Sequence, residues 1–112
     1  MSKVVAPMPS FRDFLDINQC PDGGDATGIG LNITWQRGSL VQSDGTVRPP
    51  NGAFVETVIQ SAKHRLEFYQ STKFNCAENA EAIQHLEKAL EVLASRFKRR
   101  DEAGKLGTHE PD

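Results

Sequence analysis

The stretch Asn75-Cys76-Ala77-Glu78-Asn79-Ala80-Glu81-Ala82-Ile83-Gln84-His85-Leu86-Glu87-Lys88-Ala89-Leu90 decides the fold. At about 100° per residue, Cys76, Ala80, Ile83, Leu86, Leu90, Leu93 and Phe97 fall on one stripe, with Ala82, Ala89 and Val92 beside it. This is the signature of a long amphipathic helix. Asn75 with Glu78 three residues on reads as a capping box, which starts the helix near Cys76, and Gly104 is its expected stop. The stripe is wider than one neighbouring helix covers, and its alanines permit close approach. It therefore implies packing against another helix on one side and a second copy of the chain on the other.

Working outward, Gln70-Ser71-Thr72-Lys73-Phe74-Asn75 is a short polar connection. Before it, Phe54, Val55, Val58, Ile59, Ala62, Leu66 and Tyr69 recur at three- and four-residue intervals, predicting a first helix capped by Asn51 and running to about Tyr69. The two helices form an antiparallel hairpin. Further upstream the period changes: Leu31, Ile33 and Trp35 alternate with Asn32, Thr34 and Gln36, predicting a strand that ends near Arg37-Gly38. Leu40-Val41-Gln42 and Thr46-Val47-Arg48 flank Ser43-Asp44-Gly45, a hairpin-turn signal, and Pro49-Pro50 ends the pairing. Residues 1–27 carry Pro7, Pro9, Pro21, Gly23 and Gly24 and read as a flexible segment, with one helical turn at Phe11–Leu15 capped by Ser10 and a loop over Gln19–Asp25. The expected class is α+β and oligomeric: a flexible segment over 1–27, a small antiparallel β-sheet over 28–50, and a long α-helical hairpin with its tail over 51–112, forming one domain with the sheet.

The totals agree with a small oligomer. A 112-residue chain supplies one domain at most, and a core that small needs disulfides, a metal or a partner subunit. Cys20 and Cys76 lack the repeated spacing of a secreted disulfide framework and read as reduced thiols of a cytosolic protein. No apolar signal core or membrane-length apolar run is present, so neither export nor a membrane partner is expected. A net charge of −2 gives no global attraction for DNA, which is not expected as a partner.

Several constellations carry two readings. Asn79 interrupts the apolar stripe, either as a buried amide that fixes helix register or as a donor and acceptor pair facing a ligand, able to read a purine edge. Phe68 and Tyr69 end the first helix and Phe74 follows in the connection. They serve as core packing or as stacking platforms, where a base on an aromatic ring is worth about 1–3 kcal/mol. The run Arg96-Phe97-Lys98-Arg99-Arg100 suits a helix C-terminus, where each cation gains about 0.3–1 kcal/mol from the macrodipole. Arginines also fork onto phosphates, and Arg37 and Arg48 add two more from the sheet. Arg96 projects beside the Ala82 and Ala89 side and is the member expected to face an intersubunit site. His64, His85 and His109 with the two cysteines lack the paired close spacing of zinc sites, so no metal is expected. No hydrolase elbow, phosphate-cradling glycine loop or dinucleotide fingerprint appears, so neither a catalytic set nor a cofactor is expected.

The pattern Phe74-Asn75-Cys76-Ala77-Glu78-Asn79-Ala80, then His85-Leu86-Glu87-Lys88-Ala89-Leu90, then Arg96–Arg100 and Gly104-Lys105-Leu106-Gly107-Thr108-His109-Glu110, resembles the helical hairpin of phage anti-Thoeris and anti-CBASS sponge proteins. Gly30–Gly38 and Pro50-Asn51-Gly52-Ala53 resemble the sheet-bearing anti-Thoeris branch. The resemblance implies sequestration without chemistry, in the cytoplasm of the infected bacterial host, of a cyclic ADP-ribose isomer made by TIR-domain enzymes. Cyclic oligonucleotides of CBASS are the alternative ligand, and a protein-interaction module without a nucleotide is the alternative role. It also implies dimers assembling into hexamers. On matching positions it assigns stacking to Tyr69, base or ribose hydrogen bonds to Asn79 and a pyrophosphate contact to Arg96, with Arg37, Arg48 and Thr108 as further ligand contacts, and the neighbouring rings of Phe68 and Phe74 complete the candidate ligand-binding set.

Overall fold

The computed structural model describes residues 5–112, so the first four residues of the expected flexible segment lie outside the described residues. Its elements are β1 (Ser10–Leu15), β2 (Pro21–Gly28), β3 (Leu31–Thr34), α1 (Val55–Gln70) and α2 (Ala77–Glu102). The class is α+β, as expected, with one antiparallel sheet ordered β1-β2-β3. The chain divides into two compact units, a sheet unit reaching Ala53 and including Gly107–His109, and a helical unit of Phe54–Leu106 with Glu110–Asp112.

The sheet is built from different residues than the sequence reading placed in it. Phe11–Leu15 is part of a strand rather than a helical turn, and Pro21–Asp25 is the first half of β2 rather than a loop. The reason is long-range pairing. Arg12 lies opposite Asp25, and their side chains form a cross-strand ion pair. The register shifts between Asp13 and Leu15, and Gly24 sits opposite Asp13 with φ of 143°, a conformation that L side chains rarely adopt. Glycines that signal a loop here permit a bulged strand. β2 then turns into β3 through Ile29-Gly30, with Gly28 paired to Leu31 and Gly30 at φ 74°.

The expected hairpin over 40–48 is correct in its turn and different in its partners. Val41 and Val47 form a single bridge, Gln42 N donates to Thr46 O at 2.7 Å, and Asp44 Oδ1 accepts from Thr46 N at 3.0 Å. This hairpin adds no strand to β3, whose partner is β2. It receives the tail instead: Gly107 O accepts from Val41 N at 3.0 Å and from Ser39 Oγ at 2.5 Å.

Asn51 does not cap α1. Its Oδ1 accepts from Arg37 N at 2.8 Å, its Nδ2 donates to Arg37 O at 3.0 Å, and its backbone N donates to Gln36 Oε1 at 2.9 Å. The Asn51 amide is turned to the Arg37 peptide, and the N-cap is Phe54, three residues further on, which makes no side-chain cap bond. The bracket holds residues 50–53 beside Trp35, where Ala53 N donates to Thr34 O at 2.7 Å and Gln36 N to Ala53 O at 3.0 Å.

In the helical unit, the side-chain amide of Gln70 ties the end of α1 to the start of α2, accepting from Cys76 N at 2.9 Å and donating to Cys76 O at 3.1 Å. Lys63 reaches Glu87 across the hairpin at 3.7 Å. The expected capping box is absent: Asn75 Nδ2 turns back to Thr72 O at 2.8 Å, and the N-cap is Cys76, whose sulfur accepts from Asn79 N at 3.4 Å. Gly104 does end the helix, at φ 72°, with Lys105 N donating to Arg100 O at 2.8 Å.

Among the described residues Ala26 is the one buried apolar side chain. Of the stripe on α2, Ile83, Leu86, Leu90 and Leu93 are half-buried and Cys76, Ala80 and Phe97 are exposed. Among the described residues, no helix is long and apolar enough to cross a membrane.

A Cβ on Gly52 would lie 2.5 Å from the carbonyl carbon of Trp35. Gly52→Ala is therefore expected to destabilise the sheet unit by about 1–3 kcal/mol, read as a lower denaturation midpoint in urea at unchanged helical circular dichroism before the transition.

Candidate functional site

The sequence-predicted residues separate into groups. At the connected end of the hairpin, Phe68, Tyr69 and Phe74 are 49%, 38% and 69% exposed. The α1 periodicity places Arg65 three and four residues before Phe68 and Tyr69, so its guanidinium lies over both rings, at 4.8 and 5.0 Å from their centroids. Arg65 Nε also donates to Tyr69 Oη at 3.2 Å, which fixes the phenol. The two rings are 6.0 Å apart and tilted by 53°. The sequence reading missed Arg65, although its spacing from the aromatic pair was a usable signal.

Asn79, one turn into α2, is half-buried, and its Nδ2 makes a long contact of 3.5 Å to Phe74 O. The Tyr69 phenol pairs with Arg65, and the Asn79 amide with the connection. The structure thus joins Asn79 to Phe74 and Tyr69 to Phe68 and Arg65.

At the far end of α2 the basic run is not a set of free cations. Arg96 Nε and Arg99 Nη2 donate to Asp112 Oδ2 at 3.0 and 3.2 Å, and Arg100 Nη1 donates to Asp112 Oδ1 at 2.5 Å. Arg100 is buried, with further bonds to Glu110 O at 2.9 Å and Lys105 O at 2.9 Å. The Arg100 hydrogen bond foremost, then those of Arg96 and Arg99, holds the Asp112 carboxyl far below the usual carboxylate range. Three guanidiniums converging on one carboxylate form the kind of donor array that also accepts a phosphate. Asn79 and Arg96 are separated by 17 helical positions, about 25 Å along the axis at 1.5 Å per residue.

Arg37, Arg48 and Thr108 belong to the sheet unit. The Arg37 guanidinium is mostly exposed and lies 3.5 Å from Asp22. Arg48 is turned inward, its Nη2 donating to Arg37 O at 3.2 Å, and its buried Nε has no partner among the described residues. Thr108 is half-buried beside Gly107.

The depressed Asp112 carboxyl sets a pH window. An acid whose folded pKa lies below its ordinary 3.8 holds its contacts above that value and loses them only as pH falls through the lower folded pKa. The protection factors of residues 105–110, measured against the intrinsic exchange rate at each pH, are expected to hold at pH 3.8, where an ordinary aspartate is half protonated, and to fall in stronger acid. Asp112→Asn is expected to release the segment already at neutral pH.

The family model described as the Acb2/Tad1 hairpin domain matches residues 30–96, from the β2–β3 turn through α1 to Arg96 on α2. The protein named Thoeris anti-defense 1 from Bacillus phage SBSphiJ7 is 45% identical over 60 residues, which cover 54% of this chain and 42% of that protein. The match thus spans less than half of the relative's length. The chain belongs to the Acb2/Tad1 hairpin family.

Proposed function

We propose that the protein is a phage anti-defence sponge that binds a cyclic ADP-ribose-type signal, glyco-cyclic ADP-ribose, and sequesters it without cleavage, blocking Thoeris immunity in the cytoplasm of the infected bacterium. One observation carries the reading: the stacking and amide groups lie at one end of α2 and the anion-gripping arginines about 25 Å away at the other. No single hairpin brings both to one small nucleotide. A second copy laid along the exposed stripe does, with Tyr69 and Asn79 from one protomer taking a base and ribose and Arg96 from the other taking the pyrophosphate. The Asp112 carboxylate marks where an anionic oxygen sits among Arg96, Arg99 and Arg100.

The chain's thin core supports the same assembly. A helical unit with no buried apolar side chain among the described residues has little to hold it as a monomer, and a family dimer growing to a hexamer covers the stripe. Trapping rather than catalysis fits the side chains at the site, which are aromatic rings, amides and arginines without a nucleophile and base in contact. Cyclic oligonucleotides of CBASS are the alternative ligand class.

Calorimetric titration with purified glyco-cyclic ADP-ribose is expected to give saturable heat, and intact ligand is expected after heat-denaturing the complex. Tyr69→Ala, Asn79→Ala and Arg96→Ala should each weaken binding by about tenfold or more, the scale of one lost stack or charge-assisted hydrogen bond. Normal affinity in all three variants, or cleaved ligand, would sink the reading. A protein-interaction module, in which Asn79 only sets register, instead predicts that Asn79→Leu changes the mass seen by light scattering while no cyclic nucleotide binds.

A further inference from the structure

Away from the hairpin, the sheet unit gathers three side chains that the sponge reading does not use. Asp16 and Cys20 stand at either end of the β1–β2 turn, and His109 arrives from the tail. One donor atom from each, a carboxylate oxygen, a thiol sulfur and an imidazole nitrogen, all lie within 4.8 Å of one another. We infer that Asp16, Cys20 and His109 bind a zinc-type transition-metal ion, with solvent completing its coordination.

The turn prepares the carboxylate for this role. Asp16 Oδ1 is used internally, accepting from Asn18 N at 2.8 Å and Cys20 N at 3.0 Å. Asp16 N donates to Cys20 O at 2.9 Å, which closes the turn and brings residues 16 and 20 side by side. The other oxygen, Oδ2, is left toward the tail, where His109 Nδ1 stands 3.7 Å away. Cys20 Sγ has only a 3.9 Å contact to Asn18 O, too weak to hold the thiol from a better partner. Asp16 and Cys20 are half-buried, so the turn shelters the site on one side while His109 keeps it open to solvent.

The donor chemistry selects the ion. Thiolate, imidazole and carboxylate together suit zinc and its neighbours and not the hard ions magnesium or calcium, which take oxygen. In a tetrahedral zinc site, bonds of about 2.0–2.3 Å place neighbouring donors roughly 3.3–3.8 Å apart. The His109 to Asp16 distance of 3.7 Å is already in that range. A rotamer adjustment of Cys20 closes the remainder. Binding forms a metal–sulfur bond as the thiol proton leaves to solvent, so no oxidant or reductant is involved. His109 lies 89 positions beyond Cys20, too far for the three donors to form a spacing motif.

Cobalt titration of the full-length, chelator-stripped protein tests this directly. A thiolate-to-cobalt charge-transfer band in the near ultraviolet is expected to saturate at one equivalent per chain and to be displaced by zinc. The band should vanish in Cys20→Ser, weaken in affinity by about tenfold or more in His109→Ala and Asp16→Asn, and persist in Cys76→Ser. Zinc should also slow iodoacetamide labelling of Cys20 in the wild-type chain while leaving Cys76 unprotected, a readout that needs no variant to fold. Absence of the band in the wild type, its loss in Cys76→Ser with retention in Cys20→Ser, or unprotected Cys20 at saturating zinc would overturn the inference. None of these readouts involves a nucleotide, so failure here leaves the sponge reading intact, and the reverse holds.

Discussion

The constraint on which the rest of the structure depends is the shortage of buried apolar surface. Ala26 is the single buried apolar side chain among the described residues, while the leucines of α2 remain half-covered. Polar brackets hold the backbone where packing does not: Asn51 on the Arg37 peptide, Gln70 on the Cys76 peptide, and Arg100 on the tail carbonyls. Each such bond contributes about 0.5–1.5 kcal/mol net, whereas full burial of one large apolar side chain contributes about 1.5–3 kcal/mol. Covering the half-buried α2 stripe is therefore a stabilisation that the single chain leaves unrealised. That imbalance is the physical ground for the assembly in the proposed function.

α2 also acts as a ruler. Its 26 residues separate an aromatic and amide end from an arginine end, and the two ends differ in electrostatics for reasons of helix geometry. Glu78 lies in the first turn, where the free amides favour negative charge, and Arg99 and Arg100 lie in the last, beside the free carbonyls. The same arrangement that stabilises the helix gathers three guanidiniums on one carboxylate. Arg65 lies over both Phe68 and Tyr69 at this exposed aromatic end. In the proposed complex the single base meets one kind of end and the pyrophosphate the other, each supplied by a different copy.

The N-terminal region shows how composition misleads. Gly23, Gly24 and Pro21 look like a linker when read locally, yet they lie in the central strand of the sheet. The tight approach of β1 to β2 at Gly24 requires a residue without a Cβ, and the Arg12–Asp25 pair fixes register across 13 positions of sequence. Asn51 and Asn75 are the opposite case. Both have the right chemistry for helix caps, and both spend it on nearby backbone instead, because a peptide presented at 2.8 Å satisfies the amide before the helix end does.

The sequence by itself determined the helical hairpin, the helix stop at Gly104, the strand at Leu31–Thr34 and the aromatic, amide and arginine groups of the candidate site. These are written in short-range periodicity and turn chemistry, where each residue's neighbours are its own sequence neighbours. Only the tertiary structure decided that residues 10–28 form strands, that the tail segment Gly107 bonds the 40–48 hairpin, that Asp112 closes on the arginines, and that His109 meets Asp16 and Cys20. Those contacts reach as far as from Asp16 to His109, and no local period specifies a partner at such a distance.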